Sequence, residues 1–338
     1  MHYRRLGRTD LMVSMLGFGG VTINRIPFAD AISVLRHAFE LGINFVDTAQ
    51  SYGESEAMIG QALRQFSGEI HLASKSRAQS ASAMTKAIDE SLKRLQTDHI
   101  AVYQFHDLRE DDLDPIQAPG GALEGMVKAK EAGKIGHIGF SGHRPQAIIP
   151  AIETNRFDVV QVPFNIIDAP LFKDSLPVAN RYDLGIIVMK PLCGGLLKSP
   201  AQALRYVLSQ LVTTAIPGMD SIEQVEENVT ISNEDITLSD EDLVDLEEEV
   251  DALGNKFCRR CGYCSPCPGG LELLDIFRYD RYHTSYFAKD WACEQYAALD
   301  FDFTHCTDCG FCEERCPYQL PVRDMLKEAH HRLAHPPD

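Results

Sequence analysis

The sequence predicts an α/β protein: a (β/α)8 TIM barrel followed by a small, mostly helical C-terminal domain crowded with cysteine. Three observations carry this. Short β-rich runs alternate eight times with amphipathic helical patterns between Met15 and Leu253. Polar side chains recur at the ends of successive runs, where barrels of this kind collect their chemistry. Eight of the ten cysteines form two bursts near the C-terminus. Eight alternations suit a closed barrel better than a split open sheet.

The chain opens on HYRRLGRTDLMVS, a hairpin pattern with Gly7 and Asp10 where turn chemistry wants them, suited to plug the barrel floor. Barrel strands are expected at residues 15–20 (MLGFGG), 44–49 (NFVDTA), 70–75 (IHLASK) and 100–107 (IAVYQFHD). The other four fall at 137–142 (HIGFSG), 159–165 (VVQVPFN), 185–191 (GIIVMKP) and 213–218 (TTAIPG). Between them, Ala31, Val34, Leu35 and Ala38 recur at helical spacing, as do Met84, Ile88, Leu92 and Leu95. The stretch 112–121 (DLDPIQAPGG) reads as a loop at the barrel mouth. In TLSDEDLVDLEEEVDAL, Ser239 is the expected N-cap, Asp242 its capping-box partner, and Leu243, Leu246, Val250 and Leu253 the apolar stripe. Gly254 and Asn255 then release the chain, so the domains are expected at 1–255 and 256–338.

A length of 338 residues suits one large core and a small one. A net charge of -17, with no cluster of Lys or Arg, argues against nucleic-acid binding. The N-terminal segment lacks the apolar core of a signal peptide, and no run is long and apolar enough to span a membrane. The first 255 residues carry only Cys193 and the other nine cysteines crowd into the tail, a distribution that reads as metal ligation in a reducing, cytoplasmic setting rather than as a disulfide scaffold.

Four polar residues gather at strand ends: Asp47, Tyr52 just beyond it, Lys75 and His106. A lysine there needs a partner if buried. An Asp–Lys pair would keep it charged, and the ammonium would favour ionisation of a neighbouring phenol. Such a phenol can act as general acid toward a carbonyl. Four unrelated loop residues are the bland alternative, made improbable by their joint placement on three successive strands.

With these residues in view, the chain resembles the aldo/keto reductases over about residues 1–250. DTAQSYGESE, the Lys of LASK and the His of YQFHD match the family's catalytic tetrad. The resemblance implies Tyr52 as acid, a Lys75–Asp47 pair that lowers its pKa, and His106 orienting the carbonyl. It also implies hydride delivery from NADP or NAD bound without a Rossmann fingerprint. Gln161 of VQVPFN and Ser141 match the carboxamide contacts, and Glu227 and Asn228 of IPGMDSIEQVEENV the adenine contacts. Lys190 stands where it could meet the pyrophosphate, with Met189 in place of the aromatic ring many members put beneath the nicotinamide. Where NADP-preferring members carry basic residues, this chain has Gly218 and Gln224, with Asp220 nearby. A 2′-phosphate wants a charge-assisted partner, so the preference between NADP and NAD stays open.

The second burst, Cys306, Cys309, Cys312 and Cys316 before Pro317, has the bacterial ferredoxin spacing, in which the fourth cysteine ligates the other cluster. The first, Cys258, Cys261, Cys264 and Cys267 before Pro268, is one residue shorter. By this logic Cys258, Cys261, Cys264 and Cys316 hold one [4Fe-4S] cluster, and Cys306, Cys309, Cys312 and Cys267 the other. The arrangement resembles the aldo/keto reductases that carry a C-terminal ferredoxin-like iron–sulfur domain. Zinc uses the same thiolates and stays open as the alternative. Cys293 reads as a buried thiol and Cys193 as a pocket or core residue. Tyr279, Tyr282, Tyr286, Phe287 and Trp291 are expected to pack against the barrel.

The sequence therefore reads as an NAD(P)H-dependent reductase of a small-molecule carbonyl substrate, with clusters that are structural or relay electrons to a redox partner protein. The alternatives are an electron-transfer protein using the barrel as scaffold, and a zinc-stabilised interaction module.

Overall fold

The structure, a computed structural model, describes residues 1–64, 66–253, 257–258, 263–285, 289–316 and 318–334, with the backbone alone at 282, 285 and 291. The chain divides into two compact units, Met1–Glu247 and Glu248–Asp338.

In the first unit, β1 (Tyr3–Arg5) and β2 (Met12–Ser14) form an antiparallel hairpin. The parallel sheet follows in chain order: β3 (Phe18–Gly19), β4 (Phe45–Asp47), β5 (His71–Ser76), β6 (Ile100–Phe105), β7 (Ile135–Ser141), β8 (Val159–Pro163), β9 (Gly185–Met189) and β10 (Thr214–Ile216). Each strand pairs with the next. Parallel bridges from Leu16 to Ala215 and from Gly19 to Gly218 bring β10 back beside β3, so the sheet is all but closed into a (β/α)8 barrel.

Side chains alternate along a strand, so every second residue points inward. Phe45, Ala73, Val102, Val159 and Ile187 form one dry cluster with Leu6 and Val13 of the hairpin, which thus fills the barrel floor. Two residues further along those strands come Asp47, Lys75, Gln104, Gln161 and Met189. An apolar floor gives way to a polar layer at the C-terminal ends.

Outward-facing Val46, Tyr103, Phe105 and Phe140 pack under the helices. The helix Phe28–Glu40 buries Ala31, Val34, Leu35 and Ala38. The helix Ala81–Leu95 buries Met84, Ile88, Leu92 and Leu95; Ser80 caps it by accepting from the Ala83 amide, and Gln96 ends it in the left-handed region. Ser239 and Asp242 make a reciprocal capping box, with amide-to-side-chain distances of 3.0 and 3.1 Å. Of the stripe that follows, only Leu246 is fully buried. The expected mouth loop is instead partly helical, over Leu113–Gln117 with Ile116 buried. Pro115 is tolerated because a first-turn residue needs no amide donor.

The C-terminal unit contains the helices Leu273–Ser285, Lys289–Ala297, Phe311–Glu314 and Val322–Ala334 around a core of Leu273, Ile276, Tyr296 and Leu326. Tyr279 belongs to this core, since the unit has its own apolar interior to fill. Tyr286 and Phe287, and the side chains of Tyr282 and Trp291, lie outside the described residues. Gly254, Asn255, Cys261 and Pro317 do too. Among the described residues, no helix is long and apolar enough to cross a membrane.

Candidate active site

Strand register sets the site. β4 and β5 run side by side, and their inward-facing Asp47 and Lys75 meet near the top of the barrel. Lys75 Nζ donates to Asp47 Oδ2 at 2.6 Å and to the Thr48 carbonyl at 2.8 Å, with both side chains buried. Gln104 and Gln161 donate to the two oxygens of Asp47 at 3.3 Å each. Burial works against both charges of the pair. Even so, the Asp47 carboxylate and the Tyr52 hydroxyl hold Lys75 above its ordinary pKa, as an ammonium.

Tyr52 sits in the turn after β4, with its ring centre 5.0 Å from Lys75 Nζ. Burial raises its phenol above the ordinary value, and Lys75 pulls it the other way. The expected lowering therefore holds for the contribution of Lys75 but not for the net shift, because desolvation of the phenolate is the larger effect. His106, just past β6, meets the Tyr52 ring edge-on at 5.8 Å. Burial first, then the charges of Lys75 and Arg77, lower its pKa to about 3. It is a neutral imidazole at ordinary pH.

The four strand-end residues thus converge, and Ser141 and Gln161 lie beside them. Ser141 Oγ accepts from the Asp107 amide at 3.0 Å. Gln161 Oε1 is buried without a hydrogen-bond partner, as is Gln104 Oε1. Of the other expected nucleotide contacts, Gly218, Gln224, Glu227 and Asn228 follow β10, and Lys190 follows β9. Gly218 packs so closely that a Cβ there would fall 2.4 Å from Thr22 Cγ2, which explains why no larger residue occupies it. Gln224, in the first turn of the helix Ile222–Asn233, accepts from the Asp220 amide at 2.9 Å. Glu227 is exposed and Asn228 buried, one turn further along the same face. Lys190, at the end of β9, has positive φ, and its carbonyl accepts from Asn165 at 3.0 Å.

Two features were not anticipated. Gln104 is fully buried in the polar layer; its signal was there to read, a polar residue two before His106 on an apolar strand. Asp107 forms a rim cluster, accepting from Arg77 and lying 2.8 Å from His143 Nδ1. That pairing joins separate strand ends and leaves no local pattern.

In the C-terminal unit, Cys267, Cys306, Cys309 and Cys312 line one small cavity. Asp308 and Gly310 are left-handed, which turns the CTDCG loop tightly. Arg323 clamps that loop to the last helix, donating to Asp308 at 2.8 Å and to Glu313 at 2.6 Å. Burial raises the Cys312 thiol to about 11. Cys264 is buried, and Cys258 and Cys316 half-buried, against the same core. Cys293 is half-buried there too, its thiol raised by burial. In the first unit, half-buried Cys193 has positive φ in a turn closed onto the Lys190 carbonyl at 3.0 Å.

Residues 15–202 match the aldo/keto reductase family. The chain belongs to that family. Residues 257–321 match a 4Fe-4S dicluster domain, so this aldo/keto reductase carries an iron–sulfur C-terminus. It is 31% identical to L-galactose dehydrogenase of Arabidopsis thaliana, over 68% of this chain and 88% of that one. It is 26% identical to the uncharacterized oxidoreductase YqkF of Bacillus subtilis, over 75% and 95%. Among solved structures, the holo form of aldo-keto reductase AKR11C1 from Bacillus halodurans matches with a TM-score of 0.66 at 27% identity, over 75% of this chain and 96% of that one.

Proposed function

We propose that this oxidoreductase reduces an aldehyde or ketone with a nicotinamide nucleotide. The observation that carries the reading is the buried Lys75–Asp47 pair beside Tyr52 and a neutral His106. A lysine held charged under a phenol serves a proton donor and has no evident use in a scaffold. When bound, NAD(P)H would supply hydride for the carbonyl carbon. Tyr52 keeps its proton at neutral pH and gives it to the carbonyl oxygen. Lys75 then stabilises the phenolate left behind, and Asp47 keeps Lys75 charged. His106 holds the carbonyl oxygen with the single N–H of its neutral ring. Gln161 fits the carboxamide, because its orphaned Oε1 is an acceptor awaiting a donor; Ser141 stands beside it. Gly218, Gln224, Glu227, Asn228 and Lys190 complete the nucleotide contacts in this reading.

The C-terminal domain in this reading holds two [4Fe-4S] clusters, which supply structural crosslinking or one-electron transfer. The cavity ringed by Cys267, Cys306, Cys309 and Cys312 supports ligation across the two bursts. Cys258, Cys261, Cys264 and Cys316 form the other set. A carbonyl substrate and, for relaying clusters, a redox partner protein complete the reading. The expected domains, 1–255 and 256–338, divide the two chemistries in this reading, with a boundary a few residues past the end of the compact unit Met1–Glu247.

The test is NADH and NADPH oxidation with a panel of aldehydes and ketones. Turnover that the Tyr52→Phe variant lowers about 10²–10⁴-fold, with nucleotide binding retained, supports the reading. Equal turnover by the variant contradicts it.

A further inference from the structure

Among the described residues that line the cavity ringed by Cys267, Cys306, Cys309 and Cys312, Arg323 is the only basic one. Its outer end is engaged. Nη1 donates to Asp308 Oδ1 at 2.8 Å and Nη2 to Glu313 Oε2 at 2.6 Å, while the Arg323 amide donates to Glu313 Oε1 at 3.0 Å. These bonds fix the guanidinium between the residue before Cys309 and the residue after Cys312.

The inner edge is not engaged. The Arg323 side chain is 38% exposed, yet its Nε is buried and has no hydrogen-bond partner. Arg323 stands in the first turn of the helix Val322–Ala334, on the same face as Leu326, which is fully buried and lines the same cavity. A buried N–H without an acceptor costs free energy. Beside the cysteines the wall is built mainly of Leu271, Leu273, Phe311 and Leu326, and Thr307 is exposed. Sulfur is the acceptor that remains. Hydrogen bonds to cluster sulfurs are among the features that set an iron–sulfur reduction potential, because they stabilise the added negative charge.

We propose that Arg323 Nε–H donates to a sulfur of the [4Fe-4S] cluster held by Cys267, Cys306, Cys309 and Cys312. The bond raises the potential at which that cluster takes up one electron, passing from the 2+ to the 1+ state. Asp308 and Glu313 offset the guanidinium charge, so the hydrogen bond is the larger influence. The proposal rests on the reading of this site as a four-iron cluster.

The experiment starts with iron, zinc and acid-labile sulfide in the anaerobically purified full-length protein, which test the cluster reading by themselves. One-electron midpoints are then read by EPR during titration with titanium(III) citrate, in wild type and in Arg323→Lys. A lysine ammonium keeps a positive charge for Asp308 and Glu313 but carries no N–H at the Nε position. The variant is expected to keep its iron and to show one midpoint lowered by about 59 mV, a tenfold weaker reduction, with the other unchanged. Hyperfine spectroscopy of reduced protein labelled with ¹⁵N-arginine is expected to show a nitrogen coupling to the cluster that is absent from Arg323→Lys. That coupling should persist in Arg315→Lys, which removes the guanidinium stacked on Phe311. Unchanged midpoints in an iron-replete Arg323→Lys protein overturn the proposal and leave the cluster reading standing. So does labelled Arg315→Lys protein without the coupling, which decides the matter if Arg323→Lys fails to hold iron. Zinc in place of iron overturns both.

Discussion

Replacing Lys75 by methionine tests the site through its electrostatics. Lys75 and Asp47 are almost wholly inaccessible, and they meet at 2.6 Å. Removing the ammonium leaves a buried carboxylate with only two long contacts, from Gln104 and Gln161 at 3.3 Å. Breaking a buried pair in this way costs about 3–5 kcal/mol, or roughly 6–20 °C in the melting temperature of a unit of this size. The sign of the pH dependence follows from Asp47. Burial raises its carboxyl and Lys75 opposes that, so the variant carries a strongly raised folded-state pKa. The unfolded chain ionises near pH 4. The folded variant therefore binds more protons than the unfolded one above that pH, and its stability falls as pH climbs toward the folded-state pKa. The assay is thermal unfolding of wild type and Lys75→Met at pH 5 and pH 8. The deficit should be larger at pH 8, and the double variant Asp47→Asn, Lys75→Met should recover most of it, because no uncompensated charge then remains. A single variant melting within about 1 °C of wild type at pH 8 would refute the reasoning.

Other outcomes follow from the same geometry. His106 has a folded-state pKa of about 3, below its unfolded value, so its contribution is intact above about pH 6.5 and is lost as pH falls toward 3. Urea midpoints across that window should fall less steeply in a His106→Asn variant than in the wild type. Cys312→Ala should lose about half of the bound iron, as removing one ligand of one of two four-iron clusters implies; unchanged iron counts against its ligation. Gly218→Lys should weaken binding of both nucleotides, measured by fluorescence titration, because its Cβ would displace Thr22. A gain in NADPH affinity would show that the loop yields.

Much of the barrel was legible because its strands obey the two-residue period. Phe45 then Asp47, Ala73 then Lys75, and Val159 then Gln161 each put an apolar residue at the floor and a polar one at the top. Lys75 and His106 stood out because charge or imidazole at the end of an apolar run demands a partner. The resemblance already implied Asp47 as the partner of Lys75, and strand register supplies the geometry, a buried contact at 2.6 Å. The rise in the Tyr52 pKa was hidden, since spacing carries no measure of burial. The short helix Leu113–Gln117 inside the stretch 112–121 was not legible, because whether Pro115 falls in a first turn depends on where the helix begins. Gln104 obeyed the period and was overlooked; the Asp107–His143 pair spans two strand ends and follows no period. Tyr279 fills the core of its own unit, a partition that aromatic content alone cannot reveal.

The most direct measurement is isotopic. NADH or NADPH carrying deuterium at both C4 positions is incubated anaerobically with the protein and a carbonyl substrate, and the alcohol is analysed by mass spectrometry and NMR. The account predicts one deuterium on the carbinol carbon, delivered to one face, with Tyr52→Phe abolishing the transfer. Product formed without deuterium, or nucleotide oxidised with electrons appearing only in the iron–sulfur domain, would contradict it.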